Sequence, residues 1–135
     1  MPKPIRCILL VDDDPDDNFL HQLVIEEADV CDEVHVFENG SEALRFLAQP
    51  HREVCSEPDV ILLDINMPGI NGFEFMDAYQ RLVPSMSHRP VVLILTTSSN
   101  PADRARANQF ADVSGYHVKP LTPQIIQEVV QRYFA

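Results

Sequence analysis

The chain has 135 residues, with 10 Lys and Arg against 21 Asp and Glu, for a formal net charge of −11. That length fits one domain, able to bury roughly two thirds of its unfolded surface without staples. So acidic a chain, with few and scattered cations, disfavours nucleic acid and anionic membranes as partners, because each phosphate contact needs a cation.

Ile5 to Val11 is a near-continuous apolar run, as in a strand buried on both faces. Pro15 to Ala28 then places Phe19, Leu20, Leu23, Val24 and Ala28 at helical spacing, which predicts a helix with that stripe inward. Val34 to Phe37 predicts a short second strand. Asn39-Gly40 signals a turn, and Ser41 with Glu42 begins a helix carrying Leu44 and Leu47. Gln49 to Pro58 is polar and irregular, a loop. Val60 to Leu63 is a third buried strand. Pro68-Gly69 and Asn71-Gly72 punctuate the following loop, the second pair as a backbone device, and Phe73, Met76 and Tyr79 carry a helix to Leu82. Val91 to Leu95 is a fourth strand. Asn100 caps a helix opened by Pro101, since proline is tolerated at the first helical position. Tyr116 to Val118 predicts a fifth strand. Thr122-Pro123 repeats the cap, and Ile125, Ile126, Val129, Val130 and Tyr133 stripe the last helix.

Five strand–helix pairs without repeat or linker imply an α/β fold, a parallel sheet with helices on both faces. Sites in such sheets form at the carboxyl ends of the strands. The first strand ends in Asp12, Asp13 and Asp14, the third in Asp64 followed by Asn66, the fourth in Thr96 and Thr97, and the fifth in Lys119 and Pro120. Crowded carboxylates raise one another's pKa unless a cation neutralises them. Oxygen-only donors suit Mg²⁺, with Mn²⁺ as a substitute. A carboxylate, a divalent cation, a hydroxyl and an ammonium group together suit a phosphoryl group carried on an aspartate.

The stretches Ile8-Leu-Leu-Val-Asp-Asp-Asp, Val60-Ile-Leu-Leu-Asp-Ile-Asn-Met-Pro-Gly-Ile-Asn-Gly, Leu95-Thr-Thr-Ser and Gly115-Tyr-His-Val-Lys-Pro resemble response-regulator receiver domains of two-component systems. They occur in that family's order from about Ile5 to the last residues. The run Asp-Asp-Asp-Pro-Asp-Asp-Asn further resembles stand-alone receivers, including those serving bacteriophytochrome kinases. The resemblance implies a flavodoxin-like sheet order of 2-1-3-4-5 and one receiver domain over residues 5–135, with no output domain. It implies that Asp64 accepts a phosphoryl group from a phosphohistidine of a sensor histidine kinase or phosphotransfer protein. Asp13 and Asp64 would bind Mg²⁺ through side chains, Asn66 through its backbone carbonyl and Asp12 through water. Lys119 would pair with the phosphate, with its bond to Pro120 cis. A threonine hydroxyl and Tyr116 would act as the switch, coupling the site to the face of helix four, strand five and helix five. The threonine is open: the usual spacing back from Lys119 gives Thr97. Aligning Leu-Thr-Thr-Ser-Ser-Asn-Pro gives Thr96, with one extra residue around Asp112 to Ser114. Thr96 is favoured, because loops tolerate insertions and strands do not.

Plainer accounts exist for each piece. Asp12 to Asp14 are also good turn and cap residues, and Asp14, Asp16 and Asp17 are read as first-turn acids complementing the helix dipole. His21, His35, His51, His88 and His117 show no ligand spacing and are read as surface or structural. The functional account stands because four independent plain accounts would have to hold together. Neither acidic cluster fits a calcium loop. The rival from another class is a small haloacid-dehalogenase-like phosphatase with Asp12 as nucleophile and Asp14, Thr96 and Lys119 beside it, which leaves Asp64-Ile-Asn-Met-Pro unexplained. A duller alternative is a receiver fold used purely for docking.

The longest apolar runs are far too short to span a bilayer, and Met-Pro-Lys-Pro leads into a strand and not a signal segment, so a cytoplasmic protein is expected. Three cysteines, Cys7, Cys31 and Cys55, odd in number and without C-x-x-C, are read as reduced. The last helix and its end carry Ile125, Ile126, Val129, Val130, Tyr133 and Phe134, which is many for one buried stripe. That surplus raises the hypothesis of a symmetric homodimer through strand five and helices four and five.

Overall fold

The apolar runs do form the strands. In a computed structural model describing residues 3–49, 58–86 and 88–135, the order is β1 Ile5–Val11, α1 Pro15–Ala28, β2 Cys31–Phe37, α2 Gly40–Ala48, β3 Val60–Leu63, α3 Gly72–Leu82, β4 Val91–Thr96, α4 Pro101–Ala107, β5 Val113–Val118 and α5 Pro123–Tyr133. All strand pairs are parallel, and the sheet order is β2-β1-β3-β4-β5. The central strands β1 and β3 read as unbroken apolar runs because both of their faces are covered. Cys7, Leu9 and Val11 enter one cluster with Ala43, Leu47, Phe75, Met76 and Tyr79, from α2 and α3. Ile8 and Leu10 enter the other with Ile25, Ile126 and Val129, from α1 and α5. Each such side chain contributes about 1.5–3 kcal/mol when fully buried.

Local chemistry starts the helices where the caps predict. Asp14 accepts from the Asp16 and Asp17 N–H groups at the head of α1, and Asn39 accepts from Glu42 at the head of α2. Asn71 and Glu74 form a reciprocal capping box on α3. Asn100 and Thr122 cap α4 and α5, each followed by proline. Gly69 has φ +75, and at Gly72 a Cβ would lie 2.6 Å from the Asp64 carbonyl oxygen. The Asn71-Gly72 pair is thus the backbone device expected: it starts α3 and lets it lie against the end of β3.

Several expectations change. Only part of the stripe drawn on α1 faces the core: Val24 and Ala28 pack against it, partly buried. Phe19 is 61% exposed, and Leu20 and Leu23 are exposed as well. Asn18, His21 and Ile25 are buried in their place, because the start of α1 lies over a polar rim that selects polar side chains. β2 begins at Cys31 and not Val34. It is an edge strand, so Asp32 and Glu33 face solvent and break the apolar pattern. β5, the other edge, begins at Val113 and not Tyr116. The apolar surplus of α5 is taken up within one chain: Ile125, Val130, Tyr133 and Phe134 pack, partly buried, around Ile126 and Val129. Cys7 is disulfide-bonded, a correction, since spacing along the chain says nothing of which sulfurs meet in space. Cys31 is free, and burial pushes its thiol up to about 11. The readings of Cys55 and His51, and most of the loop Gln49 to Pro58, lie outside the described residues.

Candidate functional site: an acidic rim with one buried lysine

The site is positioned by main-chain bonds that carry the sheet one residue past its strands. The Asp12 N–H donates to the Phe37 carbonyl at 3.1 Å, that of Asp64 to Val11 at 3.0 Å, and that of Lys119 to Thr96 at 2.7 Å. The first residues after β1, β3 and β5 are therefore pinned to one edge of the sheet, as strand polarity requires. The Lys119–Pro120 peptide bond is cis.

There the side chains converge. The Lys119 ammonium lies 2.6 Å from Asp12 Oδ2, 2.8 Å from Asp17 Oδ2 and 3.4 Å from Asp64 Oδ2. The side chains of Lys119, Asp12 and Asp64 are 9%, 7% and 7% exposed. Asp12 Oδ1 accepts from the Asp14 N–H and Asp64 Oδ1 from the Asn66 N–H, while Asn18 Nδ2 donates to the Asp12 carbonyl at 2.8 Å. Burial, with the nearby Asp64 charge, raises the Asp12 carboxyl above its ordinary range, and the Lys119 and Asp14 hydrogen bonds only partly offset this. For Lys119 burial works downward, but hydrogen bonds to Asp12 and Asp17 and the Asp64 charge outweigh it and raise the amine.

Carboxylate oxygens of Asp12, Asp13 and Asp64 lie within 4.8 Å of one another. Asp12, Asp17 and Asp64 share one ammonium and Asp13 stands beside two of them, so negative charge is in excess. A hard-oxygen cluster of this kind fits Mg²⁺ or Mn²⁺.

Beside it, Thr96 is wholly buried and Thr97 is exposed. The β4–β5 register jumps from Val92↔Val113 to Leu93↔Gly115, leaving Ser114 as an extra residue. The extra residue lies at a bulge inside β5, in a strand and not in a loop as the choice of Thr96 supposed. Thr96 Oγ1 accepts from the Ser98 N–H at 3.3 Å. The Tyr116 hydroxyl, on a ring that is itself buried, donates to the Ser98 carbonyl at 2.8 Å. The Arg104 guanidinium lies 4.8 Å from the centre of that ring.

Sequence reasoning missed Asp17, Asn18 and Ser98. Asp17 was assigned to the helix dipole alone, whereas its carboxylate reaches Lys119 across 102 residues. One signal was available, because the first turn of a helix rising from a strand end stands over the rim. Asp14, by contrast, is the exposed cap it was read to be. That removes the second acid of the dehalogenase-like alternative. His21 proves buried and structural, and burial, reinforced by the Lys119 charge, lowers its pKa.

Residues 8–131 match the family described as response regulator receiver domain. The chain belongs to that family. The receiver is 37% identical over 102 residues to the response regulator Rcp1 of Synechocystis, covering 75% of this chain and 68% of that protein. It spans about half the length of the rice two-component response regulator ORR1, at 28% identity over 129 residues. The solved two-component response regulator of Cytophaga hutchinsonii superposes with a TM-score of 0.83 at 32% identity, covering 95% of this chain and 96% of that one. The phosphorylated cyanobacterial phytochrome response regulator RcpA gives 0.75 at 28%, covering 97% and 96%. A structure of Rcp1 in its Mn²⁺-bound form also gives 0.75 at 28%, covering 96% and 94%. Receiver domains are signalling modules of two-component systems, phosphorylated on aspartate by histidine kinases, and they bind Mg²⁺ or Mn²⁺ at their acidic pocket. Among the described residues no helix is long and apolar enough to cross a membrane.

Proposed function

We propose that this receiver, over residues 5–135, takes a phosphoryl group on Asp64 from a phosphohistidine of a sensor kinase or phosphotransfer protein, in the cytoplasm. The single observation that carries this reading is the meeting of Asp64, Asp12 and Lys119 at one buried point of the rim. The similarity to phosphorylated RcpA and to Mn²⁺-bound Rcp1 supports it.

In the reaction an Asp64 carboxylate oxygen attacks phosphorus in line. The P–O bond forms as the P–N bond to imidazole breaks, and the electron pair returns to that nitrogen. Asp13 and Asp64 side chains and the Asn66 carbonyl would hold Mg²⁺ or Mn²⁺, with Asp12 reaching it through water. Such an ion would supply positive charge to neutralise the phosphoryl oxygens. Lys119 leaves its carboxylate partners for a phosphoryl oxygen and supplies the second positive charge. Thr96 gives up the Ser98 N–H and turns its hydroxyl to the phosphoryl group. Since Tyr116 is tied to the same Ser98, the change passes into the face of α4, β5 and α5. Output is then protein–protein contact at that face, or relay to another histidine.

The test is incubation with acetyl phosphate and Mg²⁺, followed by mapping of the acid-labile group. The expected label is on Asp64, dependent on Mg²⁺ and lost in Asp64→Asn. Equal labelling of Asp64→Asn would overturn the assignment.

A further inference from the structure

The rim poses a problem that its own geometry answers. In the resting site Lys119 occupies Asp12 and Asp64, the acids that also belong to the cation-binding cluster. Two cations drawn to the same oxygens repel each other, so an ion entering the cluster must displace the ammonium at least in part. An ammonium so deeply buried needs another acceptor nearby. Asp17 offers one. It stands outside the Asp12–Asp13–Asp64 cluster, yet its Oδ2 is already 2.8 Å from Lys119 Nζ. It is also the most exposed of the lysine's partners, at 31%. The cap of α1 is made by Asp14, which accepts from the Asp17 N–H itself.

We propose that Asp17 is a positioning residue for phosphotransfer: a perch that holds the Lys119 ammonium when a divalent cation claims Asp12 and Asp64, and from which Lys119 leaves for the phosphoryl oxygens. This rests on the phosphoacceptor reading above. Asp17 then acts in opposite directions on two bindings. By accepting Lys119 it eases entry of the cation. By competing for Lys119 it weakens the hold on a phosphoryl group. A carboxylate that merely favoured the helix dipole would move stability and leave both bindings alone.

The experiment measures, by calorimetry on the full chain, the affinity for Mg²⁺ alone and the affinity for beryllofluoride at saturating Mg²⁺. In Asp17→Asn the first should fall and the second rise, each by on the order of threefold or more. Asp17→Glu, which keeps the charge, should restore much of the Mg²⁺ affinity. In a Lys119→Ala background the gain in beryllofluoride affinity should vanish, because the perch has nothing left to hold. Should the Asn variant misfold, Asp17→Ser serves in its place. Constants that stay put or move together in the folded variant would overturn the proposal, as would a beryllofluoride gain undiminished without Lys119. If the unaltered chain binds beryllofluoride at Asp64 and these tests fail, the perch alone falls. If the unaltered chain does not bind it, the phosphoacceptor reading falls and takes the perch with it.

Discussion

Two lysine–aspartate contacts lie at opposite ends of this molecule with almost the same length. Lys3 Nζ is 2.9 Å from Asp29 Oδ1, and Lys119 Nζ is 2.8 Å from Asp17 Oδ2. The first joins side chains 36% and 77% exposed, where water screens the pair and both chains can wander. The second belongs to a lysine whose side chain is 9% exposed and whose ammonium serves three carboxylates at once. Distance is no guide to consequence here. Burial and the number of partners are, and both are set by where the strands end.

Removing the buried cation has the largest expected effect. Lys119→Ala leaves Asp12 and Asp64 buried without a positive partner, which should cost about 3–5 kcal/mol in urea unfolding without metal. Added Mg²⁺ should restore part of it, because the excess acids then find another cation. Next comes Gly72→Ala. A Cβ there meets the Asp64 carbonyl oxygen at 2.6 Å and Ile65 Cα at 2.7 Å, so backbone must shift at the rim. A loss of about 1–3 kcal/mol is expected, together with slower labelling of Asp64 by acetyl phosphate.

A smaller effect sharpens the reach of Lys119. Burial first, and then the Lys119 charge, holds His21 below its ordinary value of 6.5. The unfolded chain therefore takes up that proton before the folded one does. Stability should be fully present above pH 6.5 and fall as the pH drops below it. His21→Gln should flatten that decline in melting curves, with His117, also lowered by burial, still contributing in the same direction. A decline equally steep in the variant would remove His21 from the account. The smallest effect belongs to the other lysine: Lys3→Ala should leave the melting temperature unchanged within error, and a clear drop would contradict the contrast drawn here.

What was legible in the sequence follows the same division between buried and exposed. β1 and β3 could be read from their apolar runs because both faces of the sheet are covered. β2 was half hidden, since Asp32 and Glu33 sit on an edge strand that faces water. On α1 the apolar count misled: Phe19, Leu20 and Leu23 point outward, while Asn18 and His21 are buried against the rim. Asp12, Asp64 and Lys119 were legible because each is the first residue past a strand, a position parallel topology brings together. Asp17 was not, because its meeting with Lys119 depends on how α1 leans over the rim, and no local pattern records that. The bulge at Ser114 was not legible, because it lies inside β5 where an insertion was expected only in a loop, and it takes the β4–β5 register to see it.

The most direct measurement of the central claim is a crystal structure of the chain with Mg²⁺ and beryllofluoride. The account predicts beryllium on Asp64, with the Lys119 ammonium withdrawn from Asp12 and within hydrogen-bond distance of a fluoride. Beryllofluoride on another residue, or Lys119 still seated on Asp12 beside an occupied Asp64, would contradict it.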